Sequence, residues 1–274
     1  MTKKPFFSII IPALNEEKYL SLLLSDLSNQ TLRDFEVIVV DGKSEDKTVK
    51  IAKSFSDKLP SLEVVSSNVR HVCTQRNLGS KKASGKYLIF SDADNRLPEF
   101  FLVGIKYKIE LLNADLITPW FKPDKANRSN DTIAIGMNLA LELQKSLSNP
   151  MMLESLIAIS KKSFQKVGGF DESVNYAEGR EFAESVLREN LNWQIVKDPT
   201  YQFSFRRFRK FGILKLMKNT TALGLSNLLG KDYKNKLAQD LYPMIGGNLF
   251  KKPKKQKSKF AKTITNLLKK IESF

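Results

Sequence analysis

The sequence predicts an α/β protein with a mostly parallel central sheet flanked by helices. Three observations predict it. Short β-branched apolar runs recur through residues 1–200, stretches of helical periodicity separate them, and several runs open directly into acidic or turn-forming residues. Strands alternating with helices are the mark of βαβ units, and strands apolar at consecutive positions are those buried on both faces.

Residues 7–11 form the first run, halted by Pro12. Leu20, Leu23, Leu24 and Leu27 follow at i, i+3, i+4 and i+7, one face of a helix, with Asn15 expected as its N-cap. Residues 36–40 (EVIVV) are the next buried strand, then Asp41-Gly42 and a helix expected to be capped by Ser44, with Val49 and Ala52 on its apolar face. Residues 62–65 are a weaker third strand. A helix over 74–84 is expected to end at Gly85 as a left-handed C-cap. Residues 87–90 form a fourth strand running into Ser91-Asp92-Ala93-Asp94. Such strand-to-loop junctions are where an open α/β sheet places its ligands. Further on, the pattern predicts a helix over 99–112, a strand over 116–118, a mobile loop over 120–131 and a helix over 132–147. A strand over 156–159 precedes Gly168-Gly169-Phe170, then come a helix over 178–189 and a strand over 193–196.

With 42% hydrophobic and 27% charged residues, the 274-residue chain is neither disordered, collagen-like nor a disulfide scaffold. Cys73 is its one cysteine and His71 its one histidine, a poor nucleus for a zinc site and a composition that fits a reducing, cytoplasmic setting. Charge is uneven. Residues 1–200 carry 27 Lys and Arg against 26 Asp and Glu, whereas residues 251–274 carry 9 against 1. A near-neutral body with a basic tail points to an anionic partner surface. No apolar run approaches the roughly 18 residues of a membrane span, and the N-terminus lacks the pattern of an export signal. The sequons at Asn127, Asn130 and Asn219 therefore read as chance matches.

Asp92 and Asp94 are the first candidates for chemistry. Two acids two positions apart on an extended segment point to one side and can offer both carboxylates to a divalent cation, although a bare D-x-D is expected about once by chance in a chain of this length. A cation there would offset the charge building on a departing nucleoside diphosphate. Two solvated loop acids are the plainer account. Asp41 ends an apolar strand, where it would accept from a nucleobase or ribose, or simply form an Asp-Gly turn. Glu16 and Glu17 complement a helix dipole, and Arg76 is either a phosphate partner or a surface residue.

Taken together, SIIIPALNEEKYL, Gln30, EVIVVDGKSEDKT, QRNLGSKKASGKYLIFSDAD and GGFDE resemble the inverting family-2 glycosyltransferases of the GT-A fold, colinearly over about residues 7–190. The resemblance implies that Pro12, Ala13, Leu14 and Glu16 line the nucleotide pocket and that Asp41 contacts the base. By the same resemblance Ser44, Arg76 and Ala93 lie near the nucleotide, Asp92 and Asp94 hold Mg²⁺ or Mn²⁺, and the donor is a nucleoside-diphosphate-sugar. Phe205-Arg206-Arg207-Phe208-Arg209-Lys210 resembles the basic segment that these enzymes place beside the donor diphosphate, and arginine suits a phosphate because its planar fork donates two parallel hydrogen bonds.

The family's catalytic base usually lies in a Glu-Asp pair followed two residues on by another acid. Here Glu178 matches the first acid, Gly179 stands where the aspartate is expected, and Glu181 matches the later one. Either Glu178 or Glu181 takes over, or the acceptor is already an anion, or the chain is catalytically weak; of these, Glu178 is favoured. A non-catalytic sugar-nucleotide or glycan-binding protein is the alternative that Gly179 motivates. A nucleotidyltransferase is less apt, because no glycine-rich phosphate loop bearing a lysine lies near the N-terminus.

Phe260, Ile264, Leu267, Leu268 and Ile271 recur at helical spacing among lysines, after the cluster KKPKKQKSK. This reads as an amphipathic basic helix on an anionic membrane surface, or as a solvated tail. Residues 211–229 are similarly amphipathic. Nucleic acid is not expected as a partner, since the tail's lysines are not interleaved with stacking aromatics. The expected organisation is a GT-A catalytic domain over 1–200, a basic helical segment over 201–250 and a lysine-rich tail over 251–274. The expected acceptor is a lipid-linked or envelope glycan at the cytoplasmic face of the cell membrane.

Overall fold

The computed structural model describes residues 4–146, 150–174 and 178–212. The expectations for the amphipathic stretch beyond residue 212 and for the lysine-rich tail lie outside the described residues, as does residue 147 at the end of one expected helix.

Seven strands form one sheet in the order β3-β2-β1-β4-β6-β5-β7. They are β1 (Phe7–Ala13), β2 (Phe35–Asp41), β3 (Leu62–Ser66), β4 (Tyr87–Ser91), β5 (Leu116–Pro123), β6 (Leu156–Ser160) and β7 (Trp193–Phe203). Pairing is parallel from β3 to β4, antiparallel on both sides of β6, and parallel again between β5 and β7. The helices are α1 (Glu17–Ser28), α2 (Thr48–Lys53), α3 (Val72–Lys82), α4 (Phe101–Leu112), α5 (Arg128–Lys145), α6 (Lys161–Lys166), α7 (Glu178–Arg188) and α8 (Arg206–Phe211).

Consecutive side chains of a strand face opposite ways, so β1 feeds two cores. Ile9 and Ile11 join Leu20, Leu23, Leu24 and Leu27 of α1, while Ile10 joins Phe90, Phe164 and Phe170 on the other face. All seven residues of β1 are buried, as the unbroken apolar run predicts. Each fully buried leucine of α1 contributes about 1.5–3 kcal/mol, which is why the spacing of those four residues sets the helix's facing.

The structure departs from the expected caps. Asn15 is not the N-cap of α1: it adopts a left-handed φ of 53°, and its Oδ1 accepts from the Glu45 amide at 2.7 Å, so Glu16 occupies the cap position. Ser44 does not cap α2, whose N-cap is Lys47; its hydroxyl accepts from the Asn15 amide at 2.9 Å. These bonds lace the loop after β1 to the loop after β2. Gly85 is not a left-handed cap either, and α3 already ends at Lys82, with Ala83 as its C-cap. A Cβ at Gly85 would meet Ser8 Oγ at 2.6 Å and Ser8 N at 2.7 Å, so the glycine is there for backbone proximity.

The stretch over 120–131 is not a loop throughout. β5 continues to Pro123, pairing with β7 as far as Phe203, and α5 begins at Arg128 after the Asn127 cap, whose side chain accepts from the Asn130 amide. Long-range pairing overrides the local turn composition. For the same reason β7 runs seven residues beyond the expected Val196, past residue 200, and α8 follows it.

Candidate active site

Three parallel strands, β1, β2 and β4, end side by side. The chain leaves β1 for β2 on one side while β4 lies on the other, which makes the β1/β4 junction a switch point where the loops part and leave a crevice. Pro12 and Ala13 close β1 and are buried, with half-buried Leu14 just beyond. Asp41 closes β2; its carboxylate accepts from the Lys43 amide at 3.1 Å and the Ser44 amide at 3.2 Å. Lys43 takes a left-handed φ of 63°, so the turn-forming part of the expectation for Asp41 is met, and the same bonds hold the nearby loop in place.

Residues 92–95 turn rather than extend: the Asn95 amide donates to the Asp92 carbonyl at 3.2 Å, with Ala93 buried between the two acids. Each aspartate meets its own arginine. Arg76 Nη2 lies 3.0 Å from Asp92 Oδ1, and Arg206 Nε lies 2.8 Å from Asp94 Oδ2. Arg206 also grips Glu16 with both terminal nitrogens, at 2.7 and 2.6 Å, and stacks its guanidinium 4.8 Å from the Tyr19 ring centre. The three acids are thus gathered, across 78 residues of sequence, by two arginines that each bind one oxygen of an aspartate.

Both arginines are delivered by specific packing. A Cβ at Gly79 would come within 2.4 Å of Ile10 Cγ2, so glycine there lets α3 lie against β1 and β2. Arg76, one turn earlier on α3, then reaches the strand ends. Gln75 beside it donates to the Ala13 and Val40 carbonyls at 3.0 and 2.7 Å. Gly168 and Gly169 both have φ near +80°, which turns the chain so that Phe170 sits 5.2 Å beneath the Arg76 guanidinium and Asn77 bonds the Phe170 backbone. Arg206 is carried by α8, itself pinned where Asp124 accepts two bonds from Arg209 and one from the Phe205 amide. Arg207 lies beside it on α8.

Charge in the crevice is finely opposed. Burial pushes the Glu16 carboxyl up, against the pull of Arg206. Burial and the neighbouring Asp94 likewise push Asp92 up to about 6, against Arg76. Glu154, just before β6, is raised by burial and by Glu178. Arg76 keeps only 3% exposure, and its Nε and Nη1 have no hydrogen-bond partner among the described residues. Glu178 and Gly179 are buried at the start of α7, and Glu181 follows in the same turn. A hollow of about 570 Å³ lies instead near the amino ends of β1 and β4 beside Lys4, Lys86, Lys106 and Lys161, away from these acids.

Comparison with known proteins settles the family. The family model "Glycosyl transferase family 2" matches residues 8–168, more than half of the chain. The chain belongs to glycosyl transferase family 2. The chain is 25% identical over 212 residues to the uncharacterized glycosyltransferase EpsJ of Bacillus subtilis, covering 72% of this chain and 60% of that protein. It is also 25% identical over 219 residues to the minor teichoic acid biosynthesis protein GgaB of the same organism, covering 75% of this chain but 24% of that one. It therefore spans less than two thirds of the first relative and about a quarter of the second. Its fold matches S. aureus TarS 1-349 in complex with UDP-GlcNAc at a TM-score of 0.58 and 23% identity, over 74% of this chain and 59% of that one. It also matches the mannosyltransferase PcManGT of Pyrobaculum calidifontis, in complex with GDP-Man and Mn²⁺, at 0.64 and 18%, over 88% and 70%. The expected GT-A architecture is thus the one observed.

Sequence reasoning missed Glu154, Gln75, Gly79 and Asn95. Asn95 is wholly buried and donates to the Ser155 carbonyl at 2.6 Å, tying the acidic turn to β6. Gln75 and Gly79 lie inside the run QRNLGSKKASGKYLIFSDAD but nothing local marks them as site residues, and Glu154 and Asn95 lie outside the motifs altogether. Gln75 bonds carbonyls 35 and 62 residues away, and Asn95 and Glu154 meet Ser155 and Arg76 across 60 and 78 residues, separations that no local pattern records. Among the described residues no helix is long and apolar enough to cross a membrane.

Proposed function

We propose that this glycosyltransferase moves a sugar from a nucleoside-diphosphate-sugar to a lipid-linked or envelope-glycan acceptor, by metal-assisted displacement with inversion at the anomeric carbon. The observation that carries the reading is the convergence of Glu16, Asp92 and Asp94 with Arg76 and Arg206 at the ends of β1 and β4. The names of relatives support its finer parts. One acts in teichoic acid biosynthesis, and two solved neighbours hold UDP-GlcNAc and GDP-Man.

The donor set fits a hard divalent cation, since the acids gathered here offer carboxylate oxygens and no thiol or imidazole. Asp92 and Asp94 would hold Mg²⁺ or Mn²⁺, which when bound would offset charge on the departing diphosphate. This chain's own residues do the rest. Arg206, released from one of its acids, is placed to donate its planar fork to a phosphate, with Arg207 beside it. Pro12, Ala13 and Leu14 give the nucleotide a firm wall. Asp41 orders the loop carrying Ser44, next to the place assigned to base and ribose. Arg76 holds Asp92 in position and balances the acids at the rear of the crevice. The buried Phe170 face keeps water from the guanidinium. The basic tail would bring this machinery to the anionic cytoplasmic face of a membrane.

The test is thermal stabilisation of the full chain by UDP, GDP, CDP and dTDP, each with and without Mn²⁺. A nucleotide at ten times its Kd adds about 1.4 kcal/mol, a rise in Tm of about 3–5 °C for a domain of this size. One nucleotide should act, and only with metal. In the Asp92→Asn/Asp94→Asn double variant the metal-dependent shift and sugar transfer should both vanish; full transfer by that variant would refute the metal assignment. A binding protein without turnover is the second reading, favoured by glycine at position 179. It predicts the same stabilisation with no release of nucleotide from any sugar donor.

A further inference from the structure

Displacement by a sugar or lipid hydroxyl needs a carboxylate to receive its proton, and most acids in the crevice are committed elsewhere. Glu16 and Asp94 are clamped by Arg206, Asp92 by Arg76, and Asp41 by the turn that it caps. Glu154 and Glu178 form no ion pair among the described residues. The two belong to different elements, one preceding β6 and the other opening α7.

Gly179 shows how they share space. A Cβ built at that position would lie 2.2 Å from Glu154 Oε2 and 1.9 Å from the Met152 carbonyl oxygen. No side chain fits there, and part of the volume that it would need is filled by the carboxylate of Glu154. An acid from the turn before β6 therefore stands beside the place that an acid on α7 would have occupied. Glu178 is 6% exposed, and its Oε1 has no hydrogen-bond partner among the described residues, whereas Glu154 keeps partial exposure. Glu154 is also fixed to the rest of the site. Its carbonyl accepts from Arg76 Nη2 at 3.2 Å, the nitrogen that pairs with Asp92, and the next carbonyl, of Ser155, accepts from the Asp92 amide at 2.8 Å.

We propose that Glu154 is the catalytic carboxylate that takes the acceptor's proton, and that Gly179 is glycine because it makes room for it. This inference rests on the transfer reading above. As the acceptor oxygen forms its bond to the anomeric carbon, its proton passes to Glu154. The bond from that carbon to the diphosphate oxygen breaks, and its electron pair leaves with the nucleoside diphosphate. Glu154 then returns the proton to solvent. Burial and the neighbouring Glu178 both push the Glu154 carboxyl up, the direction that makes a carboxylate a better proton acceptor, and Glu178 is a positioning residue.

The experiment measures nucleotide release by the full-length chain from the sugar donor of whichever nucleotide stabilises it, with either water or azide as acceptor. Water must lose a proton to complete the transfer and azide has none to lose. Glu154→Gln should lower release with water by at least about 100-fold, the usual worth of a positioned base. Azide-dependent release, donor KM and nucleotide-dependent stabilisation should stay within about twofold. Glu154→Asp, which keeps the carboxylate but withdraws it by one methylene, should fall between. The proposal is overturned if Glu154→Gln keeps release with water within threefold of the wild type, or if it loses azide-dependent release and nucleotide binding to the same degree. Absence of release from the wild type with every donor would instead remove the transfer reading, and this assignment with it.

Discussion

Arg206→Ala removes the guanidinium that holds Glu16 and Asp94 together. The Glu16 side chain keeps 7% exposure and that of Asp94 13%, so the variant leaves two carboxylates in a poorly solvated crevice without a counter-charge. Breaking a buried pair by removing one partner costs about 3–5 kcal/mol, and the lower end applies here because water can enter the crevice beside Asp94. For a domain of this size about 3 kcal/mol lowers Tm by about 6–12 °C. The sign of the pH dependence follows from Glu16. Burial already raises its carboxyl above the ordinary 4.5, and loss of Arg206 raises it further. Between 4.5 and that raised value the folded state binds more protons than the unfolded chain, so stability falls as pH rises through the window. The penalty of the variant should therefore be largest at pH 7 and shrink toward pH 5. Thermal unfolding of the ligand-free chain at both pH values measures it, and the Glu16→Gln/Arg206→Ala double variant should recover part of the loss. A single variant within 2 °C of the wild type at pH 7, or a double variant no more stable than the single, would refute the reasoning.

Gly79→Ala should cost about 1–3 kcal/mol in urea unfolding, the usual penalty of overpacking, because the added carbon would fall 2.4 Å from Ile10 Cγ2; an unchanged midpoint would show that α3 can lift off the sheet freely. Deleting residues 251–274 removes nine basic residues against one acid, and should abolish sedimentation with anionic vesicles while nucleotide-dependent stabilisation persists. Unchanged vesicle binding would show that the tail is not the anchor.

Strands and helices were readable where burial writes a period into the chain. The run of β1 and the leucines of α1 needed no tertiary knowledge, because two-sided burial and one-sided burial leave different patterns. Caps and turns were less readable. Asn15 and Ser44 have the chemistry of N-caps, yet they spend their polar atoms on each other's loops, about 30 residues apart. The stretch over 120–131 has the composition of a loop, yet part of it is a strand because β7 lies alongside.

The candidate site divides along the same line. From order and residue type alone the chain declared its alternating strands and helices, the acids Asp92 and Asp94 after β4, the basic segment that carries Arg206 and the glycine at 179. What the tertiary structure decided is which charge meets which. Arg206 joins Glu16 across 190 residues, Arg76 meets Asp92 because Gly79 lets α3 lie close, and Glu154 fills the space that Gly179 leaves open. Motifs and periodicity arise between neighbours in the chain, whereas a charge balance depends on distance in space, and only the packed sheet sets that distance.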